Sequence, residues 1–419
     1  RTFARLRPFS ESSLRYPSRR RYVLTLRDPI HGFIETDALE AALVDSRPLQ
    51  RLRFIHQLGL TFLVYPGAEH SRFSHVLGAM ALAGRTVDAL LAKSPALLDP
   101  EERRRARRLA RLAALFHDAG HAPFSHSAEE LFEGGIDHEA MTARLLASDE
   151  ISVLFERHGE GLVPADVAAL LAGNVAPERR FLAQVISGEL DVDKMDYLLR
   201  DSLYCGVRYG VYDLDRLLDT LALVPDPETG ALGSGVEEGG VRAVEALVLA
   251  RYYMFTQVYF NVTGKALEQH LSEWMRAEER QWPADPELFL RQDDLSTLEA
   301  MRASDNQHAQ AVVHRRHFPL AFETREHLSE SEGVAFEALL PELRAHYGEG
   351  EILVARSAKD PHRLGGSPVW VRYGDGRLES MESASHFIRH LTRIDRYRVY
   401  TRPEIRDEVA AGLRRRFLV

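Results

Sequence analysis

The chain has 419 residues, 45% of them hydrophobic and 27% charged, and a formal net charge of -9. This size predicts one large domain with a smaller appended lobe, and the negative charge argues against a general nucleic-acid coat. The single cysteine, Cys205, excludes an internal disulfide, and no run of about 18 apolar residues is present to span a membrane. We therefore expect a soluble protein of a reducing compartment, the cytoplasm.

Arginine is concentrated in three places. Residues 1–22 hold seven arginines against the single acid Glu11, a second run lies within residues 103–111, and a third covers residues 414–416. Such runs are usually solvated faces or tails, so we expect residues 1–22 to form an Arg-rich N-terminal extension. Contact with phosphate, nucleic acid or a second subunit is the weaker alternative.

The first predicted element is a short strand at residues 23–26, followed by the turn-forming segment Asp-Pro-Ile-His-Gly at residues 28–32. From residue 37 to about 330 the apolar spacing is mostly helical. It is clearest at residues 79–91 and 104–116, where apolar residues recur at intervals of three and four. The glycine-rich stretches 133–135 and 230–240 predict loops between helices.

The sequence pattern changes near residue 350. Strands are predicted at residues 352–355, 369–373, 377–381 and 397–401, with a hairpin turn at 374–376, a helix around 382–392 and another from residue 403 onward. We therefore predict a mainly α fold with a small C-terminal α/β lobe. The expected regions are the extension 1–22, a main domain 23–330 and the lobe 331–419.

The most informative segment is residues 115–126, Leu-Phe-His-Asp-Ala-Gly-His-Ala-Pro-Phe-Ser-His. An apolar helix ends there in His117 and Asp118, and two further histidines, His121 and His126, follow a Gly/Pro turn. Burial of these groups without partners would cost kilocalories each, whereas a divalent cation accepts both imidazole and carboxylate ligands. Adjacent helical residues point about 100° apart, so ligands from other helices are required.

Two residues on other predicted helices can supply these ligands. His75 stands at the start of the helix that runs through residue 91, and Asp193 lies in the acidic segment 191–201. Each residue alone is more often structural than a metal ligand. The set of a histidine, a His-Asp pair and an aspartate, each in a charged motif on a helical background, predicts a metal site.

This set resembles the H…HD…D signature of HD-domain phosphohydrolases. Segments 28–32, 50–59, 65–67, 72–75, 117–126 and 193–197 also resemble the deoxynucleoside triphosphate triphosphohydrolases of that superfamily. The resemblance implies an HD-type helical core and a divalent metal, Mn, Fe, Ni, Zn or Mg, held by His75, His117, Asp118 and Asp193. The metal would activate water for attack on the α-phosphate of a deoxynucleoside triphosphate, which gives deoxynucleoside and triphosphate.

The resemblance also implies roles for residues around the metal. His126 matches the general acid, His121 a phosphate contact, and His138 a further active-site histidine that Glu129 could orient. The implied substrate contacts are Arg72, Lys194 and Arg251 for the phosphates, Tyr259 for the sugar and base, and Gln57, Leu58, Tyr197 and Asp201 for the deoxyribose. Phe260 departs from the family's animal members, which carry glutamine there.

A regulatory site is implied more weakly. In animal members of the family a guanine nucleotide binds between subunits and promotes tetramers, and its guanine readers match Asp45, Gln50 and Arg53. The lysine that contacts the activator phosphates is replaced by Leu24. The resemblance to these members implies a homo-oligomer, dimer or tetramer, and a guanine nucleotide as a possible activator.

Two other functions stay open at this stage. The bare signature also permits another HD phosphohydrolase, such as a nucleoside monophosphatase or a cyclic-nucleotide phosphodiesterase. A nucleotide-binding or nucleic-acid-binding regulator without hydrolysis is a third reading, supported by the Arg-rich N-terminal arm. The presence of all four candidate ligands favours an enzyme.

Overall fold

The structure is a computed structural model that describes residues 24–125, 130–227, 229–360 and 368–417. The predicted Arg-rich extension 1–22 lies outside the described residues, as do His126 and Glu129. Helices dominate the described part, and the sheets are small, as the sequence predicts for a mainly α protein with an HD-type core.

The helices are named in chain order. They are α1 (Ala38–Val44), α2 (Arg47–Arg51), α3 (Arg72–Ala92), α4 (Pro100–Phe116), α5 (His138–Leu146), α6 (Asp149–His158), α7 (Pro164–Leu171), α8 (Arg180–Ile186), α9 (Val192–Tyr204), α10 (Leu214–Thr220), α11 (Val241–Met254), α12 (Val262–Ala277), α13 (Pro286–Phe289), α14 (Asp294–Ala303), α15 (Gln307–Val313), α16 (Glu330–Glu337), α17 (Leu340–Tyr347), α18 (Met381–Ala384), α19 (His386–Arg389) and α20 (Arg406–Phe417). A π-helical turn, Phe255–Tyr259, follows α11 directly.

The strands form three sheets. They are β1 (Leu24–Asp28), β2 (Gly32–Thr36), β3 (Leu221–Pro225), β4 (Leu232–Glu237), β5 (Leu320–Glu323), β6 (Ile352–Lys359), β7 (Trp370–Arg372), β8 (Leu378–Ser380) and β9 (Ile394–Thr401). β1 and β2 form a hairpin, β3-β4-β7-β8 form the second sheet, and β5-β9-β6 form the third. Strands of the predicted C-terminal lobe therefore also pair with β4 of the main domain.

Helix α3 is the central helix of the core. Fifteen of its 21 residues are buried, and it lies against α4 on one side and α9 on another. Its length and composition alone would allow a membrane span, but 72% of the stretch concerned is buried inside the protein. A helix that is apolar on most sides is buried in this way when it forms the core of a large domain.

The arginines of α4 are engaged by acids of the same chain. The helix begins at the N-cap Asp99 with a capping box and ends at His117. The ion pairs are Arg104 with Glu101 and Glu160, Arg105 with Asp166, Arg107 with Asp88, Arg108 with Asp37, and Arg111 with Glu40. This face of α4 is therefore a network of ion pairs within the chain.

Two predicted elements differ from the structure. The glycine-rich stretch 230–240, predicted as a loop, contains β4, which lies between β3 and β7. A Cβ on Gly235 would lie 2.4 Å from the Trp370 carbonyl oxygen, so glycine there permits close strand pairing. The predicted helix 382–392 is two short helices, α18 and α19, separated at Ser385, whose side chain caps α19 instead of continuing α18.

Candidate metal centre and active site

Two imidazoles and a carboxylate converge where α3, α4 and α9 meet. His75 Nε2 lies 3.3 Å from His117 Nε2 and 3.1 Å from Asp193 Oδ1, and His117 Nε2 lies 3.6 Å from the same oxygen. The ligand atoms of these three residues all lie within 4.8 Å of one another, so they could hold a metal ion. His75 comes from the first turn of α3, His117 from the end of α4 and Asp193 from the first turn of α9.

Asp118, the fourth predicted ligand, is buried beside the same imidazoles. One of its oxygens lies 3.4 Å from His117 Nε2, and the other lies 3.7 Å from His75 Nε2. That second oxygen also accepts a short hydrogen bond from the Arg72 guanidinium. The structure thus brings all four predicted ligands together, with Asp118 shared between the imidazoles and an arginine.

The outer nitrogens of both histidines are occupied by acceptors. His75 Nδ1 lies 2.8 Å from Asp196 Oδ2, and His117 Nδ1 lies 2.8 Å from the Ala114 carbonyl oxygen. An acceptor at Nδ1 keeps the proton there, so the lone pair of Nε2 faces the centre, which is the usual arrangement for a metal-bound histidine. The donor set therefore fits the divalent metal that HD domains bind.

A buried network beneath the metal ligands was not predicted from the sequence. Asp196 is fully buried and accepts from His31 Nε2 at 2.6 Å and from Arg200 Nε at 2.8 Å, while Arg200 also bonds Asp28 at 2.9 Å. The segment 28–32 thus supports the metal centre in addition to forming a turn. A Cβ on Gly78 would lie 2.0 Å from Asp196 Oδ1, so glycine in α3 allows α9 to approach this closely.

The charges of the centre favour a bound cation. Burial disfavours the charged form of His75, but hydrogen bonds to Asp193 and Asp196 outweigh it and raise its pKa to about 10. The pKa of His117 is raised as well, since Asp118 and Asp193 overcome the effect of burial. Burial also disfavours an ionised Asp193, yet the two imidazoles hold its pKa well below the ordinary value. The carboxylates are therefore ionised and favour a positive charge at the Nε2 atoms, which a proton supplies in the metal-free centre and a metal ion would supply in its place.

The loop after the His-Asp pair is fixed by several hydrogen bonds. Phe124 and Ser125 adopt positive φ angles of 55° and 61°, which are uncommon for residues other than glycine. The Phe124 N–H donates to the fully buried Asp294 at 2.7 Å, and Ser125 Oγ accepts from Arg72 Nε at 3.1 Å. Asp294 belongs to α14, so a distant part of the chain holds the loop that carries His121.

His121 and His138 lie side by side at this centre. Their ring centroids are 4.1 Å apart, and His121 Nδ1 lies 3.3 Å from Asp118 Oδ1. His138 is the first residue of α5, whose N-cap Asp137 accepts from the Ala140 N–H at 2.8 Å. Asp137 therefore caps α5, and the next residue, His138, is still placed beside His121.

A cavity of about 910 Å³ opens from the metal centre. This volume is within the usual range for small-molecule sites. The predicted site residues that line it are Gln57, Leu58, Arg72, His117, Asp118, His121, His138, Asp193, Lys194, Tyr197, Asp201, Arg251 and Tyr259. His75 is fully buried behind them.

The order of residues along the cavity follows helix α9. Asp193, Tyr197 and Asp201 are four residues apart and therefore share one face of the helix. At about 1.5 Å per residue, Asp201 lies roughly 12 Å along the axis from Asp193. Asp201 accepts hydrogen bonds from Tyr259 Oη at 2.7 Å, and its other oxygen lies 2.7 Å from His70 Nε2. His70 was not singled out from the sequence, although it stands two residues before Arg72.

The predicted phosphate contacts already have partners within the protein. Lys194 Nζ donates to the Gly188 carbonyl oxygen at 2.7 Å and pairs with Asp191. Arg72 is held by Asp118 and Ser125. Arg251 is buried, and its guanidinium carbon lies 5.7 Å from the Phe255 ring centroid.

The three predicted guanine readers of the regulatory site lie elsewhere. Asp45 and Arg53 are exposed, and Arg53 Nε donates to Gln50 Oε1 at 2.8 Å while its guanidinium lies 3.7 Å above the Phe73 ring centroid. None of the three is among the residues that line the cavity in the described part of the chain. Nucleotide activation at this surface stays a prediction.

Comparison with known proteins agrees with this centre. Residues 72–201 match the HD domain family, and residues 212–318 match the HD associated region. An uncharacterised protein of Bacillus subtilis is 38% identical over 249 residues, which is 59% of this chain and 54% of that protein. A protein of Dictyostelium discoideum named deoxynucleoside triphosphate triphosphohydrolase SAMHD1 homolog is 33% identical over 256 residues, 58% of this chain and 47% of that protein.

A solved structure extends the similarity over most of the chain. A phosphohydrolase from Bacteroides thetaiotaomicron has a TM-score of 0.72 and 25% identity, covering 90% of this chain and 99% of that one. The chain spans about half the length of these curated relatives. An HD domain with a His-Asp centre inside it, followed by the HD associated region, defines a class of metal-binding hydrolases. The chain belongs to the HD-domain phosphohydrolase family.

Proposed function

We propose that the protein hydrolyses deoxynucleoside triphosphates to deoxynucleoside and triphosphate. The observation that carries the proposal is a single cavity with the His-Asp centre at one end and the Tyr197, Asp201 and Tyr259 cluster beyond it. A nucleotide with a phosphate at the metal centre and its sugar at Asp201 would span the distance between these two ends of α9. The relatives named deoxynucleoside triphosphate triphosphohydrolases support the same substrate class.

The cavity suits a polyanion joined to a sugar. Lys194 and Arg251 line the same cavity as the metal centre and the tyrosines, where they can bind phosphate oxygens through charge-assisted hydrogen bonds. Asp201 can accept a hydrogen bond from a sugar hydroxyl, because carboxylate oxygens have several acceptor sites. Close packing of Gln57, Leu58 and Tyr197 around this position would exclude a 2′-hydroxyl by contact.

The residues of the centre have distinct tasks in this reaction. A divalent metal supplies charge neutralisation and an activated water when it is bound by His75, His117, Asp118 and Asp193. His121 and His138 lie within the same cavity, where an imidazole can donate a proton to the leaving 5′-oxygen. We propose the same capacity for His126, which follows the loop fixed by Asp294, with Glu129 as an orienting acid.

The direct test is product analysis. The protein is incubated with Mn²⁺ and each deoxynucleoside triphosphate, and the expected phosphorus product is tripolyphosphate with an equimolar deoxynucleoside. The His117→Ala, Asp118→Ala protein serves as the inactive control, and Asp215→Ala, which alters an exposed surface acid, serves as the matched control. Release of inorganic phosphate alone would favour another HD phosphohydrolase. Salt-dependent single-strand binding that persists in the inactive control, without hydrolysis in the parent, would favour a regulator.

A second test separates triphosphate binding from metal binding. We expect Arg251→Ala to raise KM for triphosphates by about tenfold, because one charge-assisted hydrogen bond contributes about 1.5 to 3 kcal/mol. Metal content should stay unchanged, since Arg251 is not a ligand. Steady-state kinetics and elemental analysis measure the two effects, and an unchanged KM would assign Arg251 a structural role.

A further inference from the structure

We infer that the end of the cavity beyond Tyr259 is a nucleobase subsite that selects guanine through the pair Lys265 and Glu268. The inference rests on the proposed function, since it names the base of the same substrate. Three features carry it: the order of residues along the cavity, a set of aromatic rings at this end, and one donor-acceptor ion pair that lines the same cavity, with its lysine near Phe260.

The position follows from contacts that continue outward from the metal centre. Asp201 bonds Tyr259, and the Tyr259 ring centroid lies 5.0 Å from that of Phe255, which in turn lies 5.3 Å from Phe260. Lys265 Nζ lies 5.7 Å from the Phe260 ring centroid. All of these residues line the same cavity, so a nucleotide with its phosphate at the metal and its sugar at Asp201 directs its base towards them.

The π-helical turn gives this end its aromatic walls. Phe255 and Tyr259 lie within the turn, and Phe260 follows it directly. Arg398, which is buried in β9, donates to the Phe260 carbonyl oxygen, and Tyr400 of the same strand donates to the Val262 carbonyl oxygen at 2.9 Å. The rings are therefore held from outside by the C-terminal lobe, and flat aromatic faces favour stacking with a base.

The ion pair supplies the hydrogen bonds that distinguish one base from another. Lys265 Nζ lies 2.6 Å from Glu268 Oε2, and both side chains are about one-fifth exposed, at 20% and 21%. Partial burial among aromatic rings strengthens such charged groups relative to the open surface. Lys265 offers only donors, and Glu268 offers only acceptors.

Guanine is the base that matches this arrangement. Its Watson–Crick edge carries two adjacent donors, N1–H and the N2 amine, which a carboxylate can accept together, and the O6 acceptor beside them matches an ammonium group. Adenine, cytosine and thymine each present at most one donor on that edge next to a ring acceptor or carbonyl. A carboxylate that faces one of those acceptor atoms would lose a hydrogen bond, and its oxygen would be repelled by the lone pair of the base atom.

The test is the substrate preference of the holoenzyme and two variants. The parent should show kcat/KM for dGTP at least about tenfold above dATP, dCTP and dTTP, which corresponds to one net charged hydrogen bond. Deoxyinosine triphosphate, which lacks the N2 amine, should fall between dGTP and dATP. Glu268→Gln and Lys265→Met should each lower the dGTP value by about tenfold and leave the other three within about twofold. Glu273→Gln, on the same helix and paired with Arg276, is the matched control and should change nothing.

A binding experiment keeps the two proposals separable. The Asp193→Ala protein, checked for its helical content by circular dichroism, is titrated with dGTP and dATP, and dGTP should bind about tenfold more tightly. Equal turnover of all four triphosphates with equal binding would overturn the guanine inference while leaving the proposed function standing. Absence of turnover for every triphosphate, with guanine-selective binding retained, would overturn the proposed function and support the subsite.

Discussion

Among the histidine pairs in the described part of the chain, two have nearly the same spacing and opposite electrostatics. The rings of His75 and His117 have centroids 5.2 Å apart, and those of His270 and His308 are 5.1 Å apart. In the first pair the Nε2 atoms face Asp118 and Asp193, and the pKa of His75 is raised to about 10. In the second pair, burial and the neighbouring His308 lower the pKa of His270 to about 3.

The hydrogen bonds explain the difference between the pairs. His270 Nδ1 lies 2.9 Å from His308 Nδ1, and His270 Nε2 accepts from the Phe318 N–H at 3.0 Å. Both nitrogens of His270 are thus used by the protein, whereas His75 and His117 turn one nitrogen each towards a shared carboxylate. Proximity of imidazoles therefore does not define a metal site. The direction of the lone pairs and the presence of ionised acids do.

The largest expected effect tests the ligand role of Asp193. We expect Asp193→Ala to lose bound metal and to reduce turnover by at least about 100-fold. This loss exceeds the reduction of about 10- to 100-fold that is usual when a residue hydrogen-bonded to a metal ligand is removed. The helical fold should persist, because Asp193 lies in the first turn of α9 and is not among the buried residues of that helix. Elemental analysis, a hydrolysis assay and circular dichroism measure these three properties. Full activity in this variant would remove the basis of the proposed metal centre.

The next effect tests the support beneath the ligands. Asp196→Asn keeps the size of the side chain but weakens the acceptor that orients His75, so metal affinity should fall about 10- to 100-fold. Competition with a chelator of known affinity gives the change. Asp88→Asn, which alters the surface pair with Arg107, is the control and should leave the affinity unchanged. Equal affinities in both variants would contradict the assigned role of Asp196.

The third effect concerns the neutral pair and its response to pH. Unfolded His270 binds a proton below its ordinary pKa of 6.5, while the folded form stays neutral until about pH 3, so stability is lost as pH falls between these values. The contribution is about 1.4 kcal/mol per pH unit. From pH 6.5 to 5, the free energy of unfolding should therefore fall by about 2 kcal/mol less in His270→Gln than in the parent. Parallel pH profiles in denaturant melts would show that His270 is charged in the folded protein.

The smallest effect concerns metal content in the second pair. Because His308 Nδ1 is bonded to His270, and the metal-binding group found among the described residues does not include this pair, His308→Gln should leave the bound metal unchanged. Elemental analysis beside the Asp193→Ala protein checks the contrast directly. A loss of metal in the His308 variant would show that the distance between two imidazoles indicates a metal site better than neighbouring acids do.

The helical core could be predicted from the sequence, and so could the four residues that the structure places close together as candidate ligands. His75, the His117-Asp118 pair and Asp193 stand in charged motifs on an apolar helical background, and this local pattern identifies them. His31, Asp196 and Arg200 were not assigned roles, because His31 and Asp196 are 165 positions apart and only the tertiary fold shows their contact. His70 was missed for the same reason, since its partner Asp201 is 131 positions away.

Other features depended on neighbours that local patterns do not reveal. The strand β4 was read as a loop because glycine usually marks turns, and only its close approach to Trp370 explains a glycine-rich strand. The arginines of α4 were expected to form a solvated face, with phosphate contact as the weaker alternative, but acids as distant in sequence as Glu40 and Asp166 engage two of them. The expected boundary near residue 330 is likewise a prediction from composition, and β5 already pairs with β9 at residue 320.

The dispersal of the ligands along the chain has a consequence for biosynthesis. His75, His117 and Asp193 are spread over the first half of the polypeptide, and the acid that orients His75 comes three residues after the last ligand. Until Asp193 and Asp196 have emerged, a nascent chain on the ribosome offers only His75, His117 and Asp118 of the candidate set. We therefore expect metal loading to follow docking of α9 onto α3, so that translation sets the order of maturation.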